Sequence, residues 1–190
     1  MVKFPPIPGE SNESNPESTD EPTFGDDMSR SELQAAIVEY QEWCSENYDE
    51  IDVDLDGIPV EISTKMKRTA GKVASQRATG NVKFIRYAMK AYQKWGWDQF
   101  AETIRHELIH VHTIQNHKKG GHGRLFKRFV KPLETHQHCE TFAEEEAKYL
   151  LFCTECDRKV GQRFKRSKIV KQPGSYQGKC CNAPLRVESN

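Results

Sequence analysis

The sequence predicts an α+β chain: a body of helices and short strands, followed by a small cysteine-bearing ribbon. Three observations lead there. Segments of helical period flank a stretch of short β-prone runs punctuated by glycine. Five of the six cysteines lie after residue 138. The first 28 residues are acidic and proline-rich, unlike anything that follows. The 190 residues therefore divide into a tail at 1–28, a body at 29–135 and a ribbon-like unit at 136–190.

The tail holds Glu10, Glu13, Glu17, Asp20, Glu21, Asp26 and Asp27 against Lys3, and five of the nine prolines. Such a segment buries too little apolar surface to offset its ordering entropy, so disorder is expected over residues 1–28. Ser29-Arg30-Ser31-Glu32 is a capping-box pattern, and Leu33, Ala36, Ile37, Tyr40 and Cys44 follow at helical spacing to about Asn47. Cys44 falls on that apolar stripe and reads as core rather than reactive. Candidate strands occupy 58–66, 69–75 and 82–86. Before them, Asp52, Asp54, Asp56 and Gly57 imitate a calcium-binding loop, but its twelfth position is Ser63 instead of Glu, so an acidic turn is expected. Residues 87–94 fit a short helix or an extended connector. Trp95-Gly96-Trp97 reads as a turn, Asp98 as the N-cap of a helix running to about Gln115, and Leu125, Phe126, Phe129 and Val130 as a further helix ending near Pro132.

The formal charge is zero, from 28 basic and 28 acidic residues, but it is a cancellation: the tail carries −6 and the rest +6. Nine Lys/Arg without an acid fall in 62–97, six without an acid in 111–133, and seven against one acid in 157–172. Tracts of this kind can neutralise a phosphate backbone, which makes DNA an expected partner and the acidic tail its expected competitor. No run of about 18 apolar residues exists, so no membrane partner is expected. MVKFPPIPGE lacks the charged-then-apolar pattern of a signal peptide, so the expected location is intracellular, in the cytoplasm and nucleoid or in the nucleus.

His106-Glu107-Leu108-Ile109-His110 matches H-E-x-x-H. Four residues is just over one helical turn, so both imidazoles leave one face and can bind one Zn²⁺. Glu107 can reach a water at the metal without ligating it. Phe100, Ile104, Leu108 and Val111 lie on roughly the opposite face, so packing does not compete with ligation. A catalytic zinc takes three protein ligands and keeps one open position. The extension H-E-x-x-H-x-x-G-x-x-H fails, because the chain has Thr113 and Asn116 where it needs Gly and His. His122, in Gly120-Gly121-His122-Gly123, is the preferred third ligand, with His117 second and Glu134 third. His112 and His117 otherwise read as solvated surface histidines.

Cys153-Thr154-Glu155-Cys156 is a C-x2-C knuckle, and Cys180-Cys181 lies 23 residues beyond it. Four thiolates suit a closed structural zinc site. Adjacent ligands on one zinc are unusual. Cys181 is the firmer of the two, since Cys181-Asn182-Ala183 resembles a tight knuckle turn, and Cys180, His138 or Cys139 supplies the last position. Without a secretion signal, metal is favoured over disulfides.

Several of these residues together resemble the SprT-like, or Spartan-type, metalloprotease family over roughly residues 30–187. They are Trp97-Asp98, Thr103-Ile104, the H-E-x-x-H pentad, Gly121-His122-Gly123 with Phe126, and Tyr149-Leu150-Leu151-Phe152-Cys153 with Cys156. The resemblance implies a zincin-like domain of helices over a small antiparallel sheet, followed by a zinc ribbon. It implies one catalytic zinc on His106, His110 and His122, with Glu107 as general base. It also implies DNA-dependent cleavage of proteins bound or crosslinked to DNA, a DNA–protein crosslink repair activity. The chain departs from the family in its adjacent Cys180-Cys181, and it carries no tail motif for ubiquitin or a replication clamp. The rival readings are a non-enzymatic DNA-binding zinc protein and a zinc peptidase indifferent to DNA.

Overall fold

The computed structural model describes residues 20–76, 78–138 and 142–190. Helix α1 (Arg30–Asn47) begins where the capping box puts it: Ser29 Oγ accepts the Glu32 N–H at 3.3 Å, and Glu32 Oε2 accepts the Ser29 N–H at 2.8 Å. Its stripe of Leu33, Ala36, Ile37, Tyr40 and Cys44 is buried. The acidic loop after it is a turn, with the Asp56 N–H on Asp54 Oδ1 at 3.0 Å and Gly57 at φ 66°.

Strands β1 (Val60–Ser63), β2 (Gly71–Gln76) and β3 (Asn81–Ala88) form one sheet in the order β1-β3-β2. β2 and β3 are an antiparallel hairpin, but β1 pairs with β3 in parallel, Val60 opposite Ile85. The sheet is therefore mixed rather than antiparallel. β2 runs at the far edge in the direction opposite to β1, so the strand that turns back from it enters the middle parallel to β1. β2 is left as an edge strand with one side unpaired within the sheet.

Helix α2 (Met89–His117) follows directly on β3, so residues 87–94 are part strand and part helix. It is broken at Gly96, which has φ 72° and ψ −178°. A β-carbon at this position would lie 2.7 Å from Asp26 Oδ1, so the bend needs glycine both for its φ and for its clearance. Beyond the bend the Trp97 N–H donates to Asp26 Oδ1 at 2.6 Å. Asp26 thus fills the capping role expected of Asp98. The second limb of α2 runs through the core, with Phe100, Ile104, Leu108 and Val111 fully buried.

That contact overturns the expectation of disorder for residues 20–28. Phe24 packs edge-on against Trp97 with ring centroids 4.5 Å apart. Tyr92 Oη donates to Gly25 O at 2.6 Å and accepts the Met28 N–H at 2.9 Å. Glu21 pairs with Arg105 at 2.9 Å. Charge and proline counts do not register that Phe24, Asp26 and Met28 have a groove to fill. The remainder of the tail, residues 1–19, lies outside the described residues.

Helix α3 (Arg124–Val130) covers the end of α2 and buries Phe126. Phe142 and Ala143, assigned from the sequence to the ribbon unit, are buried in the first core, Phe142 edge-on to Trp95. Beyond them β4 (Tyr149–Cys153), β5 (Lys159–Arg163) and β6 (Leu185–Ser189) form an antiparallel sheet in the order β5-β4-β6, with the short helix α4 (Lys168–Lys171) in the β5–β6 connection. Glu146 receives both Lys67 and Lys90, and Glu144 pairs with Lys159 at 3.0 Å. The basic tracts are therefore partly balanced by acids distant in sequence. Among the described residues, no helix is long and apolar enough to cross a membrane.

Phe24 is half-buried, so Phe24→Ala is expected to lower unfolding stability by about 1–2 kcal/mol. A urea titration of the full chain measures this; a disordered tail would show no change.

Candidate metal centre

The buried second limb of α2 presents His106 and His110 on one face, and the glycine-rich turn before α3 returns His122 to them. His106 Nε2 and His122 Nε2 are 2.9 Å apart, and His110 Nε2 and His122 Nε2 are 3.0 Å apart. Three nitrogens on one metal at ~2.0–2.1 Å stand about 3.3 Å from each other in a tetrahedral shell, close to the spacing found. Phe126 lies under all three rings at 4.6–4.8 Å.

His106 Nδ1 meets the His136 carbonyl at 2.7 Å, so Nδ1 carries the proton and Nε2 offers its lone pair to the cluster. Burial, against that hydrogen bond, lowers the His106 pKa to about 4. Burial and the neighbouring His106 and His122 lower His110 to about 3. Burial and His138 also lower His122. The rings are therefore neutral at ordinary pH, the form that binds metal.

Glu107 is 4% exposed, with Oε2 unpartnered. Burial raises its pKa to about 8, opposed by a hydrogen bond from the Val73 backbone. The side chain is pressed against β2: a β-carbon on Gly71 would lie 2.5 Å from Glu107 Cγ. All these groups line a cleft of about 1100 Å³, walled on one side by Arg68–Val73 and on another by residues 135–138.

The structure brings together the preferred ligands and not the alternatives. His117 is exposed and lies edge-on to His112, ring centroids 5.6 Å apart. Glu134 is exposed, and its carbonyl accepts from Arg105. His112, expected on the surface, is buried instead, with Nδ1 3.0 Å from both the N and the O of Asp52. Asn116 Nδ2 donates to Asp52 O at 2.8 Å, so the residue that breaks the longer histidine pattern fastens the acidic loop. Gly71, Val73 and His136 were not marked by the sequence. Gly71 acts by lacking a side chain, and the other two act through their backbones.

In the ribbon, the Sγ atoms of Cys153, Cys156, Cys180 and Cys181 all lie within 4.8 Å of one another, and those of Cys156 and Cys180 are 3.6 Å apart. Thiolates on one zinc at ~2.3 Å stand about 3.8 Å apart, so both adjacent cysteines fit one site. Each knuckle turns on a left-handed residue, Asp157 and Asn182, both at φ 53°. Backbone N–H groups of Cys156 and Glu155 lower the Cys153 thiol to about 7, whereas the hydrogen bond with Cys156 pushes Cys181 up to about 12. Four thiolates this close need a cation to ionise together. His138 lies by His122, with ring centroids 5.5 Å apart, rather than in the ribbon. Cys139 lies outside the described residues.

A helix that gives two histidines and a buried glutamate to an open cleft, completed by a third histidine, defines a metallopeptidase-like protein. The sequence model of the SprT-like family matches residues 33–148, more than half of the chain, and the chain belongs to that family. The match spans the histidine cluster and ends before Cys153; both clusters are consistent with zinc.

The buried carboxyl predicts a pH signature. In the metal-free protein Glu107 keeps its proton up to about pH 8, while the unfolded chain ionises near 4.5. Its contribution to stability is complete below pH 4.5 and is lost as pH rises through 8. The lowered histidines act in the opposite sense, losing stability as pH falls below 6.5. Between pH 6.5 and 8.5 the chelator-treated wild type should therefore lose melting temperature relative to Glu107→Gln. Parallel melting curves across that range would contradict this.

Proposed function

We propose that this chain is a zincin-like zinc endopeptidase that cleaves proteins bound or crosslinked to DNA. One observation carries the peptidase reading: three convergent imidazole nitrogens adjoin a buried glutamate with a free oxygen, all opening on a cleft beside an edge strand. A closed structural site would have no use for the cleft or for the burial of Glu107.

The unpaired edge of β2 offers its N–H and C=O groups to an extended polypeptide, which would lay a peptide bond across the histidine face. Zn²⁺ held by His106, His110 and His122 would polarise that carbonyl, acidify a water and favour the ionised form of Glu107. Glu107 then takes the proton of the attacking water and returns it to the leaving amine as the C–N bond breaks. Gly71 keeps the space that this carboxyl occupies, and the Val73 N–H aims it. The His136 carbonyl holds His106 in the ligating tautomer.

The DNA part of the proposal is supported by family membership and by charge around the cleft. Arg68 and Lys72 line it, and it continues past Lys72, Val73, Ile114 and Gly120 into a groove bearing Lys118 and Lys119. Phosphate contacts there would hold a DNA-bound protein near Glu107. We assign the four-cysteine cluster a second, structural zinc, and place the protein inside the cell with its DNA.

Glu107→Gln should keep zinc and DNA binding and lose cleavage of a DNA-bound protein by about 10²–10⁴-fold. DNA affinity should fall steeply between low and moderate salt. Cleavage unchanged in the variant would refute the role of Glu107, and cleavage indifferent to DNA would point to a general peptidase. Gly71→Ala should reduce cleavage with zinc content retained, since its β-carbon displaces Glu107 rather than a ligand; full activity in that variant would remove Gly71 from the site.

A further inference from the structure

We propose that Glu21 and Arg105 form a positioning relay for the histidine metal centre, which makes the N-terminal segment part of that centre. The proposal rests on reading His106, His110 and His122 as metal ligands. Arg105 precedes His106 in the chain, so its side chain leaves the helix about 100° away from the histidine, and it is 6% exposed. Nη1 donates to Glu21 Oε1 at 2.9 Å and to Tyr40 Oη, and Tyr40 Oη in turn donates to Glu21 Oε1. Nη2 donates to Glu134 O at 3.0 Å.

Glu134 begins a strap across the metal site. It stands at φ 46°, a left-handed conformation that a residue with a β-carbon seldom adopts unless its surroundings impose it. The imposed bonds are the Arg105 donor to its carbonyl and its own N–H on Lys131 O at 3.1 Å. The next three residues then act on the site in turn. Thr135 Oγ1 donates to Glu102 O at 2.6 Å, and its N–H donates to Val130 O at 3.0 Å. His136 gives its carbonyl to His106 Nδ1 at 2.7 Å while its ring pairs with Glu102. Gln137 Nε2 reaches His122 O at 3.5 Å.

Two of the three candidate ligands are thus held by a strap whose first carbonyl is pinned by Arg105. Nε has no partner among the described residues, so the orientation of this buried guanidinium rests on the acceptors of Nη1 and Nη2, among which Glu21 supplies the carboxylate. Remove that carboxylate, and the fork that holds the Glu134 carbonyl loses its anchor. The carbonyl that orients His106 then loses its support.

The test measures metal affinity of the full-length protein, wild type against Glu21→Ala and Arg105→Lys, by competition with a chelator using Zn²⁺ and Co²⁺. Thiolate-to-Co²⁺ charge transfer reports the cysteine cluster as an internal control, and the d–d absorption left after subtracting the four-thiolate contribution reports the histidine site. Each variant should weaken the histidine site about tenfold or more and alter its d–d spectrum, with the cysteine signal unchanged, since loss of support behind a metal ligand costs 10–100-fold in affinity. The Glu21 side chain is nearly half exposed, so Glu21→Ala decides the matter if Arg105→Lys does not fold. A histidine-site affinity within twofold of wild type and an unaltered spectrum in Glu21→Ala would overturn the relay, even with a lowered melting temperature, and leave only a structural clamp. A wild type whose histidine site binds neither metal would overturn the premise instead.

Discussion

The protein is organised around a carboxylate that is costly to bury. Glu107 lies inside the molecule with one oxygen unpartnered among the described residues, beside the buried His110 and the half-buried His106. Desolvation of this kind is tolerated where a site needs it, and the neighbouring elements are shaped to accept it. β2 approaches so closely that only glycine fits at position 71, and it supplies a backbone donor from Val73. The order β1-β3-β2 leaves β2 at the edge of the sheet, where Gly71, Lys72 and Val73 line the cleft.

The helix that carries these groups needs support along its whole length. Its outer face packs against α1 and the sheet, and its upstream end is bent at Gly96 and capped by Asp26. The acidic turn at Asp52–Asp54 lies along its downstream end, tied by His112, Gln115 and Asn116. Arg105 and the strap at 134–137 close the metal-facing side. The N-terminal segment and the acidic turn, which look like solvated acidic stretches in the sequence, therefore serve as structural braces for α2.

Charge shows the same gap between order along the chain and order in space. The basic tracts meet acids elsewhere in the chain: Lys67 and Lys90 on Glu146, Arg86 on Glu61, Lys159 on Glu144. The proposed contacts with nucleic acid rest on the smaller set around the cleft and its extension, with Arg68, Lys72, Lys118 and Lys119. A tract is a property of sequence, and a potential is a property of position.

The sequence by itself pointed to the family, to helix α1, to the limb of α2 that carries His106 and His110, and to the histidines and cysteines that the structure gathers into two clusters. Each of these rests on local periodicity or on short spacing: i and i+4 for His106 and His110, two intervening residues for Cys153 and Cys156, and a capping box for α1. The third histidine was legible as the preferred choice because a glycine-rich turn can fold the chain back on the helix that precedes it. Only the tertiary structure decided the parallel pairing of β1, the burial of His112, the order of residues 20–28, and the parts played by Gly71, Val73, Arg105 and His136. Those residues act through missing side chains, backbone groups or partners distant in the chain, and residue type and spacing along a chain do not encode such contacts.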